Sequence, residues 1–433
     1  MKVYTSDELG QLKAIEFTRG TITSDPDTPK PTINILIKPT KVPIQRLTAC
    51  TYNDAIDTPV IGLPGGIVKV VDKETGEILQ EWKDARVQDE TDKCIGLAYA
   101  HGHIISCTAS GYFTARSLTS DAAEVTTTHT LPAPLSFLRT HPTEAGTIIF
   151  GGKDRDVEIW ARQQGEKKKD DDTKPFAGLK QVFKAKNVKN DELDLTVPIW
   201  PTDAVFLPTS DSAPEEKPQS GNRYARTPPN GPTYKFATIT RFRHIRLYST
   251  PLARRPLWST QLGPQPLHSL TLHPSKPDDE VIFADNHSRI TSFSLSTRLS
   301  TGSYLRPTGA PMGLECKGRV VASVGLDRYL WVWDARTREV LGKVFLKVKP
   351  TAVWVVDDED VGDGVKVESE DEDEDGEGDV WEGLEEVKSE SEGEKGEGEE
   401  GKRVKRRRRY EKSIFDPNNQ TRTKPQNSNS SPF

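Results

Sequence analysis

The chain predicts an all-β fold, a seven-bladed β-propeller followed by a charged, disordered C-terminal tail. Three observations carry this. A hairpin pattern recurs: SVGLDRYLWVWD (residues 323–334) and FGGKDRDVEIWA (150–161) each place an aspartate, Asp327 or Asp154, six residues before a tryptophan, Trp333 or Trp160. Weaker copies end at Val71, Arg116, Tyr248 and Phe293, so successive spacings from Val71 are 45, 44, 88, 45 and 40 residues. That is the period of four-stranded propeller blades. Finally, composition changes sharply at Asp357, where apolar alternation gives way to runs of like charge.

The elements follow in chain order. Residues 2–6, 11–17 and 33–37 read as three strands that lack a first strand. Blades are expected over roughly 43–81, 93–128, 134–186, 200–260, 267–304 and 311–347. Trp333-Asp334 closes the third strand of the last of these and makes the units WD repeats. The 88-residue interval contains two polar stretches, 163–180 and 208–232, that cannot supply strands. Without them one blade's length remains, so they are read as long loops. LSFLRTHP and LHSLTLHP mark two first strands and their following turns, which makes His141 and His273 turn residues. PTAVWVVD, from Pro350, reads as a first strand with nothing after it. Pairing it with the N-terminal strands gives a seventh blade and a propeller domain over 1–356. The physical reason is that an open ring leaves backbone N–H and C=O groups unpaired at its seam.

Composition bounds the function. Apolar residues make up 34% of 433, low for a globular chain of this size, which fits a folded part diluted by polar segments. The N-terminus shows no apolar leader pattern, and the longest mostly apolar stretch, 59–71, contains Pro64 and Lys69. A soluble intracellular chain without a membrane partner is expected. Cys50, Cys94, Cys107 and Cys316 have no CxxC spacing and are read as reduced thiols. His101 and His103 lack the neighbours that would complete a metal site, so they are read as loop or strand positions. No GxxxxGK[ST], GxSxG or HExxH motif occurs. The expectation is a non-enzyme without a cofactor, a rigid disc that displays loops to partners.

Charge is segregated. Residues 357–400 carry 23 acids against 3 lysines, and residues 401–433 carry 10 basic residues against 2 acids. Since the whole chain is −6, residues 1–356 are +6. A basic body points to a polyanionic partner. Turns between second and third strands share one face of a propeller with the connectors between blades. On this register those turns hold Lys153 and Arg155, Arg241 and Arg243, Arg289, and Arg328, in four consecutive blades. The turns of the two preceding blades, GLPGG and TASGY, are uncharged. The connector after blade 134–186 adds Lys184, Lys186 and Lys189. The pattern predicts a basic arc suited to the backbone of structured RNA. Asp154 and Asp156 neutralise their own turn locally, and Asp154 and Asp327 are expected to bond within their turns.

The tail divides into an acidic tract, 357–400, and a basic end, 401–433, both expected to be disordered because like charge and low hydrophobicity cannot offset the entropy of ordering. Ser369, Ser389 and Ser391 each precede an acid by three residues, a pattern for an acid-directed kinase. KRVKRRRR (Lys402, Arg403, Lys405, Arg406, Arg407, Arg408, Arg409) reads as a nuclear-import signal or as a direct RNA contact. The acidic tract is a candidate shield for the basic arc.

Two segments go further. VFKAKNVKNDELDLTVPIWPTDAVFL (182–207) and SVGLDRYLWVWDARTREVLGKVFLK (323–347) resemble the nucleolar WD-repeat ribosome-biogenesis family, known in fungi as the Nop-seven-associated protein and in animals as a related nuclear WD-repeat protein. The resemblance is strong over these segments and weaker but collinear from residue 1 to about 356. It implies a non-catalytic scaffold on precursors of the large ribosomal subunit, in the nucleus and nucleolus. The implied contacts are ribosomal RNA, other assembly factors and an AAA-type ATPase for release. It also places Asn187 and Asp191, with Lys184, Lys186 and Lys189, in a partner-facing connector. The insertions 163–180 and 208–232 and the acidic tract depart from the pattern, so no contacts are carried onto them. The alternative from the residues themselves is a WD-repeat substrate receptor or chromatin scaffold that binds proteins only.

Overall fold

The structure is a computed structural model that describes residues 1–118, 126–162, 174–190, 192–208, 233–305 and 307–357. Two compact units separate, Met1–Lys366 and Val367–Phe433. The second lies outside the described residues, as do Ser369, Ser389, Ser391 and Lys402–Arg409.

Strands β1 (Lys2–Asp7), β2 (Leu12–Glu16), β3 (Thr21–Ile22) and β4 (Thr32–Ile37) come first. Blade 1 is β5–β8 (Arg46–Tyr52, Ala55–Leu63, Ile67–Val71, Ile78–Lys83), and blade 2 is β9–β12 (Cys94–Ala100, His103–Thr108, Tyr112–Ser117, Thr126–Thr130). Blade 3 is β13–β16 (Phe137–Thr140, Thr147–Gly152, Arg155–Arg162, Leu179–Lys184), and blade 4 is β17–β20 (Pro201–Phe206, Lys235–Thr240, His244–Ser249, Trp258–Gln261). Blade 5 is β21–β24 (Leu267–Leu272, Glu280–Asp285, Ile290–Ser294, Ser300–Tyr304), and blade 6 is β25–β28 (Pro311–Lys317, Val320–Gly325, Tyr329–Asp334, Val340–Phe345). Finally β29 (Pro350–Asp357) pairs with β1, giving blade 7 the order β29-β1-β2-β4. The first strands touch one another around the ring, and β29 meets β5 to close it. The fold is a seven-bladed β-propeller.

The core lies between blades rather than within one sheet. Each junction of neighbouring blades holds its own apolar cluster. This explains the uninterrupted LWVW of β27. Leu330 and Val332 face blade 7, while Trp331 and Trp333 face blade 5. A strand covered on both faces reads as continuous apolar sequence rather than as alternation. Closure is also explicit: Val3, Tyr4, Thr5 and Ser6 pair with Val355, Trp354, Val353 and Ala352.

Three local features differ from the sequence expectation. β3 adds in parallel to the outer edge of β28, making blade 6 five-stranded. Two residues give too short a pattern to read from sequence. Gly342 permits this crossing, because a Cβ there would lie 2.5 Å from Cε2 of Phe17. The polar stretch 163–180 is also not wholly loop: β16 begins at Leu179, and Phe176 is buried against Phe113 and His103 of blade 2. Third, Asp154 takes φ 57° in its turn, but its amide bonds outside the turn, donating to the Ile199 carbonyl at 3.0 Å.

The other histidine readings have concrete geometry. Nδ1 of His141 accepts the Glu144 amide at 2.9 Å, and Nδ1 of His273 accepts the Ser275 amide at 3.2 Å, so both cap the turns that follow. His101 takes φ 51° in a turn, and His103 opens β10 with its ring against Phe176. Cys50, Cys94 and Cys107 are free and buried, and burial pushes the Cys50 thiol up to about 12 and the Cys94 thiol to about 11. Such thiols are poor nucleophiles.

Candidate nucleic-acid interface

First strands of neighbouring blades run in the same direction. Thr202 Oγ1 donates to the Leu267 carbonyl at 2.8 Å, and further along the same pair the Leu270 amide donates to Asp203 at 3.0 Å. Turns between second and third strands therefore share one end of the disc. Arg243 (φ 69°) and Arg328 (φ 65°) sit in the left-handed region, a conformation uncommon for arginine, and their amides close tight turns onto Thr240 and Gly325.

Trp200 organises two of these turns. It stands just before β17, and its carbonyl accepts the Arg241 amide at 2.9 Å. Its indole N–H donates to Ser136 Oγ at 3.0 Å, which fixes the ring. The guanidinium of Arg241 lies 4.6 Å from the ring centroid and the ammonium of Lys153 lies 5.6 Å away. Cations from blades 3 and 4 thus converge on one aromatic ring, an attraction worth about 0.5–2 kcal/mol for each pair. Next along the disc, Arg243 donates to the Gly263 carbonyl at 3.3 Å. Arg289 reaches the same glycine, with its NH1 3.0 Å from where a Cβ would stand. Arg328 completes the series, 5.4 Å over the ring of Phe345.

The remaining predicted residues divide differently. Arg155 and Lys184 both pair with Glu158, at 3.0 and 3.3 Å, and Glu158 also accepts the Trp160 indole N–H. Two of the arc's cations thereby share one buried carboxylate, which offsets only one of the two charges. The connector after β16 does not simply follow the disc end. The Lys186 amide donates to the Arg254 carbonyl, and Arg254 Nε donates to the Lys184 carbonyl. Arg254 lies in the loop between β19 and β20, so these bonds tie the connector to blade 4. Asn187 serves this path. Its Nδ2 donates to the Val197 carbonyl, and its Oδ1 accepts from the Val188 amide and, at 3.4 Å, from buried Arg246. Lys189 is exposed, and Asp191 lies outside the described residues. Asp327 bonds in and beyond its turn, accepting from the Tyr329 amide, the Thr308 amide and the Trp331 indole N–H.

Sequence reasoning passes over Trp200 and the channel at the disc's centre. The signal for the channel is a single charge within each of several otherwise apolar first strands. Arg139 forms a two-pronged pair with Asp203 at 2.9 and 2.8 Å. Asp203 is occupied further by the Ala204 and Leu270 amides. Burial pushes the Glu315 carboxyl up to about 7, against the opposing pull of Arg139 and Lys317. The channel wall holds this one ion pair and, near it, a carboxyl that burial pushes up to about 7.

No family model matches the chain. Among curated proteins, the ribosome biogenesis protein nsa1 of Schizosaccharomyces pombe is 28% identical over 392 residues, covering 89% of this chain and 96% of that one. The chain is similar to the Nsa1 proteins over most of its length. NSA1 of Meyerozyma guilliermondii is 30% identical over 250 residues, covering 52% of this chain and 56% of its own. Human WD repeat-containing protein 74 is 28% identical over 258 residues, covering 58% and 57%. These fungal Nsa1 proteins and their animal WD-repeat counterpart match the family that residues 182–207 and 323–347 suggest.

Proposed function

We propose that this chain is a ribosome assembly factor that acts on the precursor of the large subunit, as a non-catalytic propeller that holds precursor ribosomal RNA and other assembly factors in place. The name of the fungal relatives, ribosome biogenesis protein, supports the broader part of this reading. The observation that carries the RNA part is the convergence of Arg241 and Lys153 on Trp200, with Arg243 and Arg289 beside them at Gly263. Cations held in place along one end of a disc suit a phosphate backbone, because each phosphate neutralised adds counterion release. Work in the nucleus and nucleolus, and release by an AAA-type ATPase, belong to the same proposal.

The test is co-sedimentation with large-subunit precursors in nuclear extract, combined with RNA crosslinking. The variant Arg241→Glu/Arg243→Glu is expected to leave the precursor fractions while keeping its circular dichroism, since both positions lie in a surface turn. Binding of purified protein to RNA should lose about two in the slope of log affinity against log salt. Unchanged co-sedimentation with no RNA crosslink would instead favour a scaffold that binds proteins only.

A further inference from the structure

Blade 6 carries a feature that the basic arc does not use. The parallel addition of β3 to β28 extends the sheet, and Ile22 and Ser24 overhang its side. Beneath them is a cleft of about 320 Å³, lined also by Thr308, Tyr329, Trp331 and Lys343. That size lies at the small end of ligand-binding clefts.

The walls are aromatic and cationic. Tyr329 lies 6.1 Å from Trp331 and 5.1 Å from Phe345, centroid to centroid. Trp331 cannot swing, because its indole N–H is bonded to Asp327 at 3.0 Å and its ring stacks on Trp333 at 6.0 Å and 8°. The Lys343 ammonium lies 4.4 Å over the Tyr329 ring and 4.9 Å over Trp331. Arg328, from the adjoining turn of the basic series, lies over Phe345. Asp327 is the acid nearest in sequence, and it already accepts three hydrogen bonds.

A flat ring fits against Tyr329, and a negative group fits Lys343 of the lining, with Arg328 in the adjoining turn. An unpaired nucleotide supplies both, whereas a paired base in a helix cannot offer its face. Lysine carries its charge on a flexible four-carbon stem, so Lys343 can pass from the ring faces to a phosphate. We propose that this cleft takes one unpaired nucleotide of a single-stranded RNA segment, its base against Tyr329 and its phosphate on Lys343 and Arg328. The assignment rests on the reading of the basic series as an RNA surface, and it adds a preference for single strands.

The test uses the full chain, a labelled single-stranded decamer and a hairpin duplex, followed by fluorescence anisotropy at several salt concentrations. Tyr329→Leu should weaken single-strand binding roughly tenfold and leave the duplex unchanged, with the salt slope unaltered. Tyr329→Trp should retain single-strand binding, which separates stacking from a fold defect. Lys343→Met should weaken the single strand and lower its slope by about 0.7. Arg241→Glu/Arg243→Glu should weaken both RNAs. If Tyr329→Leu leaves the ratio of single-strand to duplex affinity unchanged while the arginine variant still weakens both, the cleft assignment fails and the RNA surface stands. If the unaltered chain binds neither RNA, both fail. A proline-rich peptide that binds the cleft and is lost in Tyr329→Leu, with RNA unaffected, would reassign it to protein docking.

Discussion

Blades 6 and 7 are neighbours that share one apolar cluster, yet they are assembled in opposite ways. The four strands β25–β28 of blade 6 are contiguous, with turns of a few residues between them. Blade 7 takes β29 from one end of the domain and β1, β2 and β4 from the other, so that Ser6 Oγ meets Thr351 Oγ1 at 3.0 Å across 345 residues. The local blade carries the strong sequence signature, because its turns and its tryptophans sit close together in the chain. The composite blade carries the ring's integrity, because without it two sheet edges lie open. The difference teaches that the readability of a blade and its mechanical importance are separate properties.

The comparison breaks most sharply at the seam. Val355 is 1% exposed and pairs with Val3. Val355→Asp buries an unpaired carboxylate there, so a loss of more than about 4 kcal/mol is expected. Trp333→Ala in blade 6 should cost about 3–5 kcal/mol through its cavity. The two are told apart by hydrogen exchange. Val355→Asp should expose the amides of β1 at native pH, whereas Trp333→Ala should leave them protected. Equal exposure of β1 in both variants would erase the distinction between the blades.

A smaller effect joins the two blades. Lys13 of blade 7 pairs with Asp7 at 3.0 Å and donates to the Leu346 carbonyl beyond blade 6 at 3.1 Å, with side-chain exposures of 7% for Lys13 and 4% for Asp7. Lys13→Met strands a buried carboxylate and should cost about 3 kcal/mol. Asp7 keeps two amide donors, from Leu9 and Gln11, so Lys13→Met/Asp7→Asn should recover part of the loss in denaturant midpoint. No recovery would mean that the pair is not what couples the blades.

The same division governs what was legible in the sequence. The repeat period located six blades because each hairpin repeats one physical unit, and the edge argument supplied the seventh by bringing β29 to β1. β3 stayed hidden because its two residues are anchored through the flanking Gly20 and Thr23 amides, which donate to the Leu341 and Lys343 carbonyls as backbone of almost any sequence could. Charges in turns were found, since a turn residue is charged or it is not. Their partners were not found. Glu158 sits in β15 between Val157 and Ile159 and gives no sign that Arg155 and Lys184 share it. Trp200, ahead of β17, reads equally as core or surface until Ser136 and Arg241 are seen around it. Side chains from different blades meet only through the closed ring, and a pattern within one blade cannot report that.

The smallest effect tests whether blade 6 also answers to the centre of the ring. Glu315, on its first strand, faces Arg139 and Asp203 of blades 3 and 4 and Lys317 of its own strand. Burial raises its carboxyl from 4.5 to about 7. Between those values the folded chain holds a proton that the unfolded chain has released. Stability therefore falls as pH rises from about 4.5 to about 7 and levels off above that. Glu315→Gln keeps the shape of the protonated form and removes the titration. Its melting temperature, relative to the unaltered chain, should rise steadily across that window and stay constant above pH 7.5. A constant difference throughout would show that the carboxyl is already ionised at pH 5, with Arg139 outweighing burial. The blade with the clearest local signature would then owe nothing to the channel.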